Sequence, residues 1–173
     1  MSDRASVEKE VLHRRALIIG VSGQDGAYLS EFLLRKGYEV YGTTRTLADS
    51  CFDKLKQLEI ANGVKMFALE PSNFENLLRL IEELQPREIY NLTGQSSVGL
   101  SFNEPLETHV SIVTVTANLL EAVRLLDKPI RIYSAGSGEV FGDTGGIPAS
   151  EDTPLNPVSP YGVAKASALR LVS

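Results

Sequence analysis

One cysteine, Cys51, is all that 173 residues contain, so neither an intramolecular disulfide nor a cysteine-rich metal site can form, and no metal is expected. Long apolar runs are missing as well: no stretch approaches the ~18 continuous apolar residues of a membrane span. Residues 1–15 are polar and charged, without the apolar core of a signal peptide, so no membrane partner and a cytoplasmic location are expected. Basic clusters are absent too. The 17 Lys and Arg stand against 22 Asp and Glu, a net charge of −5, and nothing resembles a surface that neutralises a phosphate backbone, so nucleic acid is not an expected partner. There is no internal repeat and no low-complexity linker.

What remains is an ordinary globular composition, 43% hydrophobic and 23% charged, with length for one domain and a core. After a polar arm over 1–14, expected to be flexible, Ala16 to Ile19 is a short apolar run ending at Gly20, as in a strand buried on both faces. Leu29, Phe32 and Leu33 then recur at helical spacing until Lys36-Gly37 gives a stop signal. The alternation continues with a strand over Tyr38–Tyr41, a short helix over Asp53–Ile60 and a strand over Val64–Leu69. A helix from Ser72 to Gln85 carries Leu77, Ile81 and Leu84 on one stripe, and the strand Glu88–Leu92 follows. A longer helix over Pro105–Leu126, a strand over Ile130–Ser134 and a final helix from Tyr161 complete the series. Strands alternating with helices through short connections predict a three-layer α/β/α fold, a doubly wound parallel sheet in the order 3-2-1-4-5, over 15–173. The helical pattern from Ala164 to Ser173 has no stop signal, which reads as a piece of a longer protein.

Three features carry chemistry. Gly20, Gly23 and Gly26 lie between the first strand and the first helix, where a tight turn lets backbone N–H groups approach a pyrophosphate at a helix N-terminus. Arg45 follows the second strand, where such a fold inspects the adenosine ribose. A guanidinium beside Thr43 and Thr44 suits a 2′-phosphate, so NADP is expected over NAD; the bland alternative is a solvated loop cation. Tyr161 and Lys165, at i and i+4 of the last helix, place a phenol and an ammonium on one face, and the ammonium favours the phenolate. The loop after the fifth strand adds Ser137 and Glu139, which would share a crevice with Tyr161 at the strand C-termini; alone they read as a turn serine and a solvated carboxylate.

With these residues in view the sequence resembles the N-terminal part of the GDP-mannose 4,6-dehydratases, Rossmann-type enzymes of the extended short-chain dehydrogenase/reductase family. The resemblance covers about Arg15 to Ser173. It rests on Gly20-Val21-Ser22-Gly23-Gln24-Asp25-Gly26-Ala27-Tyr28-Leu29, on Ile89-Tyr90-Asn91-Leu92, on Gln95-Ser96 and on Ser159-Pro160-Tyr161-Gly162. By position it implies that Gly20, Gly23, Gln24, Asp25 and Gly26 meet the pyrophosphate and Arg45 the 2′-phosphate. Glu70, Leu92 and Gln95 join the cofactor-facing set. The resemblance makes Tyr161 the base and Lys165 its partner on the nicotinamide ribose. Ser137 falls at the sugar 4-hydroxyl, and Glu139 at the carboxylate that handles C5 and C6. The implied reaction is redox-neutral conversion of GDP-mannose to the 4-keto-6-deoxy sugar with loss of water, by an enzyme that is a homo-oligomer at full length.

The sequence departs from that pattern at several places. Gly138 replaces a common serine or aspartate, Glu70-Pro71 stands where an aspartate and an apolar residue usually meet the adenine, and Thr46 replaces a second arginine. The C-terminal substrate domain of such enzymes has no counterpart in these residues. Two other readings stay open: a related nucleotide-sugar reductase, epimerase or decarboxylase, and a non-catalytic dinucleotide-binding fragment.

Overall fold

The computed structural model describes residues 14–173, so the arm expected over 1–14 lies, apart from Arg14, outside the described residues. Five parallel strands form one sheet in the order β3-β2-β1-β4-β5, with β1 at Arg15–Ile19, β2 at Glu39–Thr44, β3 at Val64–Ala68, β4 at Glu88–Asn91 and β5 at Arg131–Ser134. The order is the one expected. Helix α1 (Gln24–Arg35) and the short α2 (Asp53–Gln57) lie on one face, while α3 (Phe74–Leu84) and α5 (Pro105–Leu126) lie on the other. A short α4 (Val98–Asn103) precedes α5, and α6 (Pro160–Val172) packs against α4 and α5.

The strand period of two divides the apolar residues into two cores. Leu17, Ile19, Tyr41 and Ile89 point towards Leu77, Ile81 and Leu84 of α3 and Leu119 and Ala122 of α5. Ala16, Ile18, Val40 and Val64 point the other way, towards Ala27 and Leu33 of α1 and Leu55 of α2. Because β1 feeds both cores, Ala16 to Ile19 is apolar throughout and fully buried. Coverage is uneven. On the α1 face Arg131 and Tyr133 of β5 are exposed, and the Tyr133 ring meets Tyr90 at 6.1 Å between centroids.

Helix ends follow local chemistry. The Asn73 side chain caps α3 by accepting from the Asn76 N–H at 3.0 Å, and Ser159 caps α6 by accepting from Gly162 at 3.0 Å, with Pro160 at the first helical position. Helix α5 is a 22-residue unit, by length and composition apolar enough to cross a membrane, yet it buries Val115, Leu119 and Ala122 within the protein. It contains a π turn at Val110–Thr114.

Several bounds differ from expectation. Strand β2 begins at Glu39 and continues to Thr44, because Gly42, Thr43 and Thr44 keep pairing with β3. The helix expected over Asp53–Ile60 stops at Gln57, since Glu59 adopts a left-handed φ of 58°. Helix α4 was not anticipated: its apolar residues Val98, Leu100 and Phe102 alternate as in a strand and show no helical stripe.

The N-terminal end of the sheet holds buried polarity that strand patterning does not reveal. Glu88 accepts from Tyr90 at 2.6 Å and Tyr38 at 3.2 Å, and pairs with Arg131. Burial opposes ionisation of Glu88, but the bonds from Tyr90, Arg131 and Tyr38 outweigh it and hold the carboxyl below its ordinary range. Burial, with Glu88 beside it, pushes the Tyr90 phenol well up.

Candidate active site

The glycine turn joins β1 to α1. The Gly20 and Val21 N–H groups donate to the Thr43 carbonyl at 3.2 and 3.1 Å, which ties the turn to the end of β2. Gly20 has φ of 89°, the left-handed region, and a Cβ there would lie 3.0 Å from the Leu92 carbonyl oxygen. At Gly26 a Cβ would come within 2.7 Å of the Val21 backbone, so only glycine lets α1 seat this close to β1. Gly23 caps α1 without a side-chain bond, which leaves the first-turn N–H groups of Gln24, Asp25 and Gly26 without a capping partner among the described residues. That free donor set is what an anion at a helix N-terminus requires.

Beyond the turn, at the C-terminal ends of the strands, lies a cleft of about 610 Å³. Gly20, Gly23, Arg45, Glu70, Leu92 and Gln95 line it, so most of the expected cofactor set is brought together. The side chains of Gln24 and Asp25 are not part of the lining. The volume is of the size that holds a small organic ligand. An observation from the residues themselves therefore fits a dinucleotide: uncapped helix N–H groups, a glycine-permitted close approach and a cleft at the strand ends.

The individual side chains show how the cleft is built. Arg45 is 73% exposed, and its Nη1 lies 3.5 Å from Oε1 of Glu107 on α5. The Glu70 carboxylate turns back on its own loop, accepting from the Ser72 N–H and hydroxyl at 3.3 and 3.0 Å. Gln95 organises the segment before α4: its amide donates to the Ser97 carbonyl at 2.8 Å and to Thr108 Oγ1 at 3.2 Å, and its carbonyl accepts from the Ser97 N–H. The Leu92 N–H continues the sheet by donating to Ile19 at 3.0 Å, while its carbonyl backs Gly20.

Tyr161 and Lys165 lie on the buried face of α6, at 8% and 9% exposure. Lys165 Nζ sits 5.9 Å from the centre of the Tyr161 ring and donates to the Ala135 carbonyl at 2.9 Å, just after β5. Burial lowers the Lys165 pKa from its ordinary value. Ser137 accepts from the Glu139 N–H at 3.2 Å and caps a 3₁₀ turn at Gly138–Val140. Val140 of that turn is buried, whereas the Glu139 side chain is exposed. The turn sits directly on α6, for a Cβ at Gly162 would lie 2.7 Å from the Glu139 carbonyl oxygen. The four expected catalytic residues thus share one corner, around the end of β5 and the start of α6, and none of them lines the 610 Å³ cleft.

A family model described as GDP-mannose 4,6 dehydratase matches residues 17–173. The chain belongs to the GDP-mannose 4,6-dehydratase family. It is 41% identical over 159 residues to the GDP-mannose 4,6-dehydratase of Yersinia enterocolitica, covering 88% of this chain and 43% of that protein. To the human GDP-mannose 4,6 dehydratase it is 38% identical over 165 residues, covering 91% of this chain and 44% of that protein. The chain therefore spans less than half the length of these dehydratases. Among solved structures, the UDP-glucose 4-epimerase of Thermus thermophilus, a complex with NAD, superposes with a TM-score of 0.78 at 28% identity, over 91% of this chain and 49% of that one. A UDP-Glc/GlcNAc 4-epimerase from Campylobacter jejuni shares the fold, with a TM-score of 0.81 at 23% identity, over 91% of this chain and 47% of that one.

Within this member of the dehydratase family, two contacts among residues that line the cleft and one beside it, from Lys54, lie outside what the sequence indicates. Ser22 Oγ meets Thr44 Oγ1 at 3.4 Å, Lys54 Nζ donates to the Ser22 carbonyl at 3.4 Å, and Glu107 reaches Arg45. Lys54 and Glu107 belong to no motif with local spacing. Only Ser22 had a signal, its place inside the glycine turn; the other two depend on how α2 and α5 pack.

Proposed function

We propose that residues 15–173 form the NADP-binding half of a GDP-mannose 4,6-dehydratase, an enzyme that converts GDP-mannose to GDP-4-keto-6-deoxymannose with loss of water. The observation that carries this reading is Tyr161 with Lys165 on the buried face of α6, against the turn that bears Ser137 and Glu139. The family match adds the substrate class. The same reading implies a cytoplasmic location and a homo-oligomer at full length.

A bound nicotinamide would supply hydride acceptance and return. The remaining work falls to this chain's side chains. Tyr161 takes the proton of the sugar 4-hydroxyl, with the Lys165 ammonium held beside it on the same face of α6. Ser137 holds the 4-oxygen. Once C4 is a ketone the C5–H is acidic; Glu139 takes that proton and gives it to the departing C6 hydroxyl, which leaves as water, and C5 regains a proton as C6 is reduced, balanced by the one Tyr161 took from the 4-hydroxyl. At the other end of the cofactor, the N–H groups of Gln24, Asp25 and Gly26 would hold the pyrophosphate, and Arg45 the 2′-phosphate.

Two measurements test this. In the first, the 173-residue chain is titrated with NADPH and NADH; NADPH binds more tightly, and Arg45→Ala costs about 1.5–3 kcal/mol of that binding, as for a hydrogen bond to a charged group. In the second, the full-length protein is assayed with GDP-mannose. Tyr161→Phe slows every step, whereas Glu139→Gln still oxidises C4 in a single turnover but loses C5 deuterium exchange and water release by about 10²–10⁴-fold. Dehydration at wild-type rate in Glu139→Gln would make Glu139 a bystander, whereas C4 oxidation without water release in the wild type would shift the reading to a related epimerase or reductase.

A further inference from the structure

The cleft contains a charge balance that Arg45 alone does not explain. Of the described residues that line it, Arg45 is the only cation, and it faces three carboxylates, Glu70, Glu104 and Glu107. Glu70 is turned back on Ser72 and Glu104 makes no ion pair among the described residues, but Glu107 Oε1 is 3.5 Å from Arg45 Nη1. The two side chains come from opposite walls, the end of β2 and the first turns of α5. At 73% and 50% exposure they form a pair worth little to the fold. It is better described as a movable contact at the mouth of a ligand cleft.

We propose that Glu107 selects the adenosine ribose of the cofactor by competing with a 2′-phosphate for Arg45 and by accepting from a free 2′-hydroxyl. The inference rests on the reading of the cleft as a dinucleotide site. Folds of this kind normally accept the 2′-hydroxyl of NAD on a carboxylate at the end of the second strand. Here that position carries Thr43, Thr44 and Arg45, and the carboxylate arrives from α5. A 2′-phosphate bears about −1.5 to −2 charges near neutral pH and must draw Arg45 away from Glu107 while standing beside a like charge. A ribose with a free hydroxyl leaves the pair intact and can donate to Glu107. The preference for NADP that Arg45 alone would confer is thereby narrowed, and both cofactors are accepted.

The test is direct binding, read by the fluorescence of NADPH and NADH with the 173-residue chain, in wild type, Glu107→Gln, Arg45→Gln and the double variant, with circular dichroism melts to verify folding. Glu107→Gln should tighten NADPH by about fivefold, the factor corresponding to the upper worth of an exposed ion pair. The same change should weaken NADH, and the NADPH gain should shrink as salt is raised. In the Arg45→Gln background the gain should largely vanish. If Glu107→Gln leaves the ratio of the two affinities unchanged, or if its gain survives intact without Arg45, Glu107 is not a ribose selector. Failure of wild type to bind either dinucleotide would overturn the dinucleotide reading and this inference together. Should Glu107→Gln melt below the wild type, Glu107→Ala in the same titration decides by the same ratio.

Discussion

Lys165 combines burial with a charge, and its two roles pull in opposite directions. Its depressed pKa means that the fold holds the ammonium at a cost. That cost is complete below the folded pKa and is relieved as pH rises through it towards the unfolded value of about 10.4. Lys165→Met should therefore melt at or above the wild-type temperature at pH 7, with the gap closing in melts taken towards pH 10, while cofactor affinity falls. A variant that melts well below wild type at pH 7 would show that the bond to Ala135 outweighs the burial of charge. Gly26 is the opposite kind of residue, with no chemistry of its own and no room for change. Gly26→Ala drives a methyl into the Val21 backbone, and a loss of about 1–3 kcal/mol in urea unfolding is expected. Both residues were legible in the sequence, because each belongs to a motif whose spacing is local. Glu107 was not: its partner is 62 positions away, and nothing in the first turns of an amphipathic helix marks one glutamate from another.

Among the elements, those with a long stripe or a fully apolar run were readable and those shaped by their neighbours were not. α3, with its cap at Asn73 and the stripe of Leu77, Ile81 and Leu84, matches its pattern closely. α4 depends instead on the Ser97 cap and on packing against α6, neither of which leaves a helical period in six residues. The π turn in α5 has the same character. It brings Ser111 to the Gln95 N–H at 3.2 Å and Ile112 against Gly94, contacts between segments far apart in the chain. For α6 the sequence did show the start, and the structure adds that Ser159 is buried while it caps. Ser159→Ala should cost about 1 kcal/mol in denaturant unfolding, within the usual range for a lost cap. Because the cap sits two residues from Tyr161, the variant should also weaken cofactor binding; unchanged binding would mean that the packing of α6 alone positions the phenol.

At the scale of the molecule, acid sensitivity is set at the N-terminal end of the sheet, opposite the cleft. The Glu88 carboxyl has a folded pKa below its ordinary range, so its contribution to stability is present above the unfolded value, about 4.3, and is lost as pH falls through the folded pKa. Melts from pH 7 down to pH 3 should show a steeper decline for wild type than for Glu88→Gln, and parallel declines would remove Glu88 as the cause. The uneven coverage of the sheet bears on how the isolated chain behaves in a tube. Among the described residues β5 is an outer strand of the sheet, and Tyr133 stands 56% exposed on the face that no helix covers there. A bare strand edge beside an aromatic side chain is a template for aggregation, and a lysine on such a strand is the usual safeguard. Cloudiness on concentration, relieved by Tyr133→Lys without a change in cofactor affinity, is the behaviour this flank should give to a 173-residue preparation, and its solubility limit is then a property of one strand.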